Sequence, residues 1–354
     1  MPKHVLILPF VMIALVLGII GGWLRLGWAQ FNIPEAAFHH GIIMTGSFMG
    51  ALISMERAVV MKNKSWFLIP ILAILALPLN LFGFTQIAII SLVISSAGLT
   101  FLMYIQNMKV KEASHYVITL GAFCWAVGNA LLLKSDFIPM VVPWWIAFLL
   151  FTIVGERLEL SRFLPVKKLF IVLLYVLLAG VFCSFFIPFH FGGSRITGIL
   201  IALIAVWLLR FDMARISIKK KGEYRYIGIG LIVGFLWLLV HAFIMIFLED
   251  HALYYDLWVH TFFLGFTFSM IWAHAPIIFP AVVKVKRLIY HPVLFLPWLL
   301  FQLSLIGRVW ASFAGNIELR QFFGVANGWI ILLMFLSMAL SYFWNKSRDF
   351  KAFN

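Results

Sequence analysis

The sequence has 354 residues, of which 64% are hydrophobic and 11% are charged, and its mean hydropathy is +1.05. A soluble domain carries about 25% charged residues, so the composition excludes a soluble globular protein and predicts a multi-pass membrane protein. The formal net charge of +14 suggests nucleic acid as a partner until the positions of the charges are considered. Cys124 and Cys183 both lie in apolar stretches and predict no disulfide framework.

A helix that crosses the hydrocarbon core needs about 20 apolar residues. That rule predicts an all-α polytopic protein, a single transmembrane domain over residues 1–354. The first apolar stretch has no small-residue cleavage site after it, because Trp23-Leu24-Arg25 follows, so it is a span and not a signal peptide. The twelve predicted spans lie near residues 4–23, 38–58, 66–84, 86–105, 115–133, 138–156, 167–187, 196–210, 226–248, 256–282, 292–309 and 322–344.

Basic residues gather at alternate junctions between these spans. If the N-terminus is cytoplasmic, 22 of the 27 basic residues face the cytoplasm, as the positive-inside rule requires. Both termini are therefore expected inside, and contact with anionic lipid accounts for the net charge without nucleic acid. The five basic residues on the other side are Arg25, Lys134, Arg195, Arg308 and Arg320.

Three of the junctions resemble one another. Met55-Glu56-Arg57, Gly155-Glu156-Arg157 and the segment 284–287 each end a span with basic residues, about four spans apart. This spacing suggests three arcs of four helices. The alternative is that every helix ending on the cytoplasmic side acquires basic residues, which also suit its C-terminal dipole.

Two histidines start spans that run from the outside inwards. His40 and His260 are at similar depths, and neutral imidazoles from two helices of a bundle can hold a haem iron. His39 is about 100° around the helix from His40, and His241 lies about 10 Å below the outer end of its span at 1.5 Å per residue. Either is an alternative ligand of the haem or of a second metal, and copper is left open.

His274 is expected at a second, inner position. Fourteen residues separate it from His260, which is about 21 Å of helical rise, so the two cannot share a metal. At about 100° per residue they lie on the same face of the helix. His274 with Glu56 or Glu156 is a candidate proton relay. The alternative is a hydrogen bond to a backbone carbonyl that Pro276 frees.

Arg25 and Arg308 are candidates for binding the haem propionates. Each ends a span beside one of the two histidine-bearing spans, and a guanidinium group matches a carboxylate. The alternative is that both are stop-transfer charges whose stems reach along the span to the surface.

His40-Gly41-Ile42-Ile43-Met44 resembles the second-helix haem motif of the haem–copper oxidase subunit I superfamily. Together with His260, Gly265, Met270-Ile271 and His274, it is similar to NnrS, a bacterial twelve-span haem- and copper-containing family. The resemblance implies haem b, a bacterial inner membrane and a role in denitrification, with nitric oxide as the gaseous ligand. The sixth predicted span has no histidine and the seventh has only the terminal His190, so the copper site of the oxidases is not carried over.

The expected protein is therefore an inner-membrane haem b protein that handles nitric oxide by binding, sensing or reduction. Whether it is a haem-dependent oxidoreductase is open, and the sequence names no electron donor. The rival is a twelve-span secondary transporter without haem. Against it, the sequence contains neither a two-halved repeat nor paired broken helices near the midplane.

Overall fold

The computed structural model describes residues 3–283 and 289–352, with side chains at 5–280 and 289–343. This part of the chain is helical and contains no strands. Among the described residues, eleven helices are long and apolar enough to cross a membrane, which confirms a multi-pass membrane protein of the all-α class. One further apolar helix, Lys168–Ser184, has 17 residues and corresponds to the predicted span 167–187.

These helices follow the predicted spans within a few residues at most ends, because the apolar runs that specify them are local features of the sequence. In chain order they are α1 Val5–Arg25, α2 His40–Val59, α3 Lys64–Leu81, α4 Thr85–Val110, α5 Ala113–Ser135, α6 Ile138–Ser161, α7 Lys168–Ser184, α8 Phe189–Phe211, α9 Glu223–Phe247, α10 Tyr254–Pro280, α11 Pro292–Phe313 and α12 Ile317–Phe343.

Helix ends carry the residues that stop helices. Lys111 after α4 and Asp136 after α5 adopt positive φ angles of 55° and 50°, the left-handed conformation in which helices often terminate. The basic segment 284–287 that the sequence analysis places in the cytoplasm lies outside the described residues. So do the side chains of Lys346, Arg348 and Lys351.

The chain divides into two compact units, residues 1–156 and 157–354. In the first unit, α4 packs along α3 and α5, and α1 packs on α2. α5 and α6 approach closely at Gly121, where a Cβ atom would lie 2.9 Å from the Phe148 carbonyl oxygen. Small residues permit such contacts between membrane helices. Trp145 Nε1 donates to Asn129 Oδ1 at 3.1 Å, which joins the same two helices by a buried hydrogen bond.

In the second unit, α9 packs against α8 and α10, and α11 packs against α12. A buried polar chain connects three of these helices: Trp237 Nε1 donates to Gln302 Oε1 at 2.7 Å, and Gln302 Nε2 donates to Ser269 Oγ at 3.3 Å. Large aromatic side chains such as Phe262 and Trp272 are buried in the same unit. The unit therefore combines an aromatic core with a buried hydrogen-bonded chain of polar groups.

Candidate functional site

His40 lies on the first turn of α2, with its ring against α1. Its Nδ1 is 2.7 Å from the Gly18 carbonyl oxygen. A carbonyl oxygen can only accept, so Nδ1 carries the proton and the lone pair of the neutral ring is on Nε2. Gly22 makes room for the ring, because a Cβ atom there would lie 3.1 Å from His40 Cε1. The backbone of α1 therefore sets both the position and the tautomer of His40.

His260 has the same tautomer for a similar reason. Its Nδ1 is 2.8 Å from the Asp256 carbonyl oxygen and 3.0 Å from Asp256 Oδ1, and both atoms are acceptors. Arg308 Nη2 and Arg320 Nε each lie 3.1 Å from the Asp256 carboxylate and hold it in place. A histidine that donates Nδ1–H to a carboxylate or a carbonyl and keeps its Nε2 lone pair is the usual arrangement at a metal centre.

Both histidines are followed by π-helical turns, in which hydrogen bonds join residues five apart. These turns are Ile43–Gly50 in α2 and Thr261–Thr267 in α10. Residues 43 and 45–50 and the whole of 261–267 are buried. Single π-helical turns within α-helices are rare and frequently mark functional sites. Each of the two candidate ligand helices, one in each unit, carries this irregularity, which begins three residues after His40 and one residue after His260.

The π-helical turn changes the predicted relation between His260 and His274. The expectation that they share a face assumes about 100° of rotation per residue. A π-helical turn is wider and rotates less per residue, so side chains beyond Thr267 are displaced around the helix axis. The argument that His260 and His274 lie on one face of the helix therefore fails, because its assumed rotation per residue does not hold. Their fourteen-residue separation along α10 is unaffected.

His39 and His241, the alternative ligands, differ in what their rings already bind. His39 Nδ1 lies 2.9 Å from the Glu35 carbonyl oxygen, and its Nε2 lies 3.1 Å from Thr85 Oγ1, so both nitrogens have a partner. His241 is fully buried and its Nδ1 is 3.0 Å from the Trp258 carbonyl oxygen. Its Nε2 has no hydrogen-bond partner within the described parts of the chain. His241 keeps a ligating lone pair available and His39 does not.

Arg308 and Arg25, the candidate propionate ligands, lie in different surroundings. Arg308 is 6% exposed and its Nη2 is committed to Asp256, whereas its Nε has no partner among the described side chains and backbone. Arg25 is exposed and makes one long hydrogen bond, 3.4 Å, to the Ala37 carbonyl oxygen. Arg308 is therefore a fixed buried cation and Arg25 a surface one.

The inner polar residues of the predicted relay belong to different units, and each can be described within its own unit. Glu156 forms an ion pair with Arg57, and Glu56 is half-buried. His274 Nδ1 bonds the Met270 carbonyl oxygen at 2.8 Å, four residues earlier. This carbonyl is not the one that Pro276 frees, because the missing N–H of a proline would pair with residue 272.

Arg157 and Asp212 are a buried cation and a buried anion of the second unit. Asp212 and Asp256 are two buried or nearly buried carboxylates that no motif of the sequence marks. Asp256 and His260 are four residues apart on one helix, and this spacing predicts that their side chains are neighbours. Asp212 and Arg157 are too far apart in the sequence for any local pattern to pair them.

Within the described residues, no three His, Cys, Asp or Glu side chains are grouped to hold a metal ion. The fold and this site define a polytopic α-helical membrane protein. Two of its helices contain a π-helical turn, and on each a histidine is fixed with its lone pair on Nε2. The chain belongs to the family described as a domain of unknown function, DUF8744, whose model matches residues 4–343. Neither the curated proteins nor the solved structures contain a match.

Proposed function

We propose that the protein is a haem b protein of the bacterial inner membrane, with His40 and His260 as axial ligands. One observation carries this proposal: each histidine donates Nδ1–H to an oxygen atom, and each precedes a buried π-helical turn. A haem iron is bound by the lone pair of a neutral imidazole, which this tautomer presents on Nε2. Each histidine presents this lone pair within its own unit, so the two residues fit a haem group.

The finer topology belongs to the same proposal. It comprises twelve spans including α7, both termini in the cytoplasm and three arcs of four helices. Support comes from the distribution of charge, since 22 of 27 basic residues fall on one face in this arrangement. Lipid is the surrounding partner.

The protein's own residues supply ligation and orientation. Asp256 holds the ring of His260 and the carbonyl of Gly18 holds that of His40. Arg308, which keeps a buried N–H on Nε, and the exposed Arg25 are proposed to bind the propionates. His241 is the alternative ligand, because its Nε2 is buried and available. His39 would have to give up its bond to Thr85.

The proposed substrate or ligand is nitric oxide, which rests on the resemblance to the NnrS family. When bound, haem supplies an iron centre that binds a diatomic gas or passes an electron. With both histidines bound, electron transfer or sensing is favoured, and with one of them bound a position is open for the gas. Copper remains a second metal of the proposal, and the electron donor is not specified.

The test is the haem content of histidine variants purified at matched expression. His40→Ala and His260→Ala should each change the Soret band, and the double variant should lose the haem. His190→Ala is the control, because that side chain is 76% exposed, and it should retain the wild-type spectrum. His241→Ala distinguishes the alternative ligand.

Two results would contradict the proposal. A double variant with full haem content would exclude both histidines as ligands. A wild-type protein without haem after growth in haem-sufficient medium would favour a secondary transporter.

A further inference from the structure

Two arginines of the second unit share the carboxylate of Asp256. Arg308 Nη2 lies 3.1 Å from Oδ1, and Arg320 Nε lies 3.1 Å from Oδ2. Within the described chain, Asp256 is the carboxylate at ion-pair distance from either guanidinium group. The neutral ring of His260 adds no charge. These side chains and that of Ser312, together the Asp256 cluster, therefore carry one positive charge in excess.

The carboxylate of Asp256 is already fully used. Its Oδ1 accepts from His260 Nδ1 at 3.0 Å and from Arg308 Nη2. Its Oδ2 accepts from Arg320 Nε and from Ser312 Oγ, the latter at 3.4 Å. A carboxylate offers about four lone-pair positions, and four donors occupy them. Any further N–H in the cluster needs an acceptor that Asp256 cannot supply.

Arg308 Nε carries such an N–H. It is buried and has no hydrogen-bond partner within the part of the chain that the structure describes, and Arg308 as a whole is 6% exposed. A buried donor on a charged group is unfavourable when it has no acceptor. The cluster thus lacks an acceptor atom and a negative charge, and a single anion supplies both.

The Asp256 cluster lies where three helices begin or end. Asp256 is the third residue of α10, Arg320 is the fourth residue of α12, and Ser312 is the last but one of α11. The side chains of Arg320 and His260 are 17% and 23% exposed. A small solute can therefore reach the cluster from the water at these helix ends, although Arg308 itself is buried.

We propose that the Asp256 cluster binds one monovalent anion, a carboxylate or a small oxyanion from the water at this end of the helices. Arg308 Nε donates to an oxygen atom of the anion, and the anion offsets the excess charge of the two arginines. A guanidinium group matches such an anion because its N–H groups form a planar fork. A divalent anion would leave the cluster with a net negative charge, so the site should favour a single charge.

This proposal does not rest on the presence of haem. The haem propionate proposed above for Arg308 has the same chemistry as the anion, and the two would compete for one site. Anion binding is therefore measured in protein with haem and in protein without it. Failure of the haem proposal, seen as a wild type without a Soret band, leaves the anion measurement unaffected.

Equilibrium dialysis of radiolabelled acetate against the purified protein tests the proposal. Haem-free protein should bind one acetate per chain in a saturable manner. Nitrate should displace the acetate, and sulfate should displace it less well. If haem-loaded protein binds none, a propionate holds the same site, which supports the proposal. If haem-free protein shows no saturable binding, the proposal is overturned.

Arg308→Gln should weaken acetate binding by about tenfold or more, because hydrogen bonds to a charged group are lost. Arg195→Gln is the matched control, since Arg195 also pairs with one carboxylate, that of Glu249 at 3.4 Å, but is 59% exposed. It should bind acetate as wild type does. If circular dichroism shows that Arg308→Gln has not folded, Arg308→Lys takes its place, because it keeps the charge and lacks Nε–H. Weaker binding by Arg308→Lys supports the proposal, and unchanged binding overturns it.

Asp256→Asn separates anion binding from a purely structural role. It removes one negative charge from the cluster with little change of shape, so acetate should bind roughly tenfold more tightly or better. A cluster that only joins the helices would be loosened by the same change and would gain no affinity. Acetate binding that is unchanged or weaker in Asp256→Asn would overturn the proposal.

Discussion

Asp256 joins His260, Arg308, Arg320 and Ser312 in one polar cluster of the second unit, and its replacement by alanine is the sharpest test of that cluster. Its carboxylate contacts Arg308 and Arg320 at 3.1 Å, His260 at 3.0 Å and Ser312 at 3.4 Å. The carboxylate side chain is 14% exposed and that of Arg308 is 7% exposed. Asp256→Ala therefore leaves a buried guanidinium without its counter-charge.

The magnitude follows from this burial. Removal of one partner of a buried ion pair costs about 3–5 kcal/mol, whereas an exposed pair contributes about 0–1 kcal/mol. Arg320 is 17% exposed, so most of the loss should come from Arg308. We expect Asp256→Ala to lower the free energy of unfolding by about 3–5 kcal/mol. Asp256→Ala combined with Arg308→Ala should be less destabilised than the sum of the single variants, because the second change removes the unpaired charge.

Unfolding in mixed micelles with increasing SDS, followed by tryptophan fluorescence, measures these differences. Asp250→Ala is the control, because Asp250 is exposed and surface changes usually stay within about 0.5 kcal/mol. If Asp256→Ala is no less stable than Asp250→Ala, the cluster is not the stabilising element inferred from its distances. Strict additivity in the double variant would exclude the coupling of Asp256 to Arg308.

Two further predictions concern the membrane topology and the position of the His40 ring against α1. In a Cys183→Ser background, a cysteine in place of the exposed Lys220 should resist a membrane-impermeant maleimide in intact cells and react after permeabilisation. A cysteine in place of Lys134 should react under both conditions. The reverse pattern would invert the proposed orientation. Gly22→Leu should displace the His40 ring, since a Cβ atom alone would lie 3.1 Å from Cε1. It should reduce haem content well below that of Gly180→Leu, a helical position where a Cβ atom would meet only the end of the Leu200 side chain. Equal haem content in the two variants would show that Gly22 does not position the ring.

The membrane helices could be predicted from the sequence because a long apolar run is sufficient evidence for a span. His40 and His260 could be singled out because a histidine in an apolar stretch needs a partner or a function. α7 is shorter than its predicted span 167–187, because the chain turns after Ser184 and before Pro188. A hydropathy run does not reveal such a turn.

Other parts of the site could not be found in this way. The charge of Arg157 acts on the carboxyl of Asp212, although the two residues are distant in the sequence and no local pattern connects them. The ion pair of Glu156 with Arg57 joins residues that are distant in the sequence and is likewise not marked by a local pattern. The π-helical turns escape any analysis that assumes a constant rotation per residue. Sequence periodicity therefore predicts where the helices lie better than it predicts the directions of the side chains that follow a π-helical turn.

The π-helical turn in α2 has a consequence for comparing members of the family. A π-helical turn holds more residues than the α-helical turn it replaces, so losing one residue between Ile43 and Gly50 would return the segment to α-helix. His40 would keep its position on α1, and the side chains beyond the deletion would keep their directions, because the wider turn already accommodates the extra residue. Relatives that are one residue shorter here would therefore present corresponding residues to the protein interior, although their spacing from the histidine would differ by one.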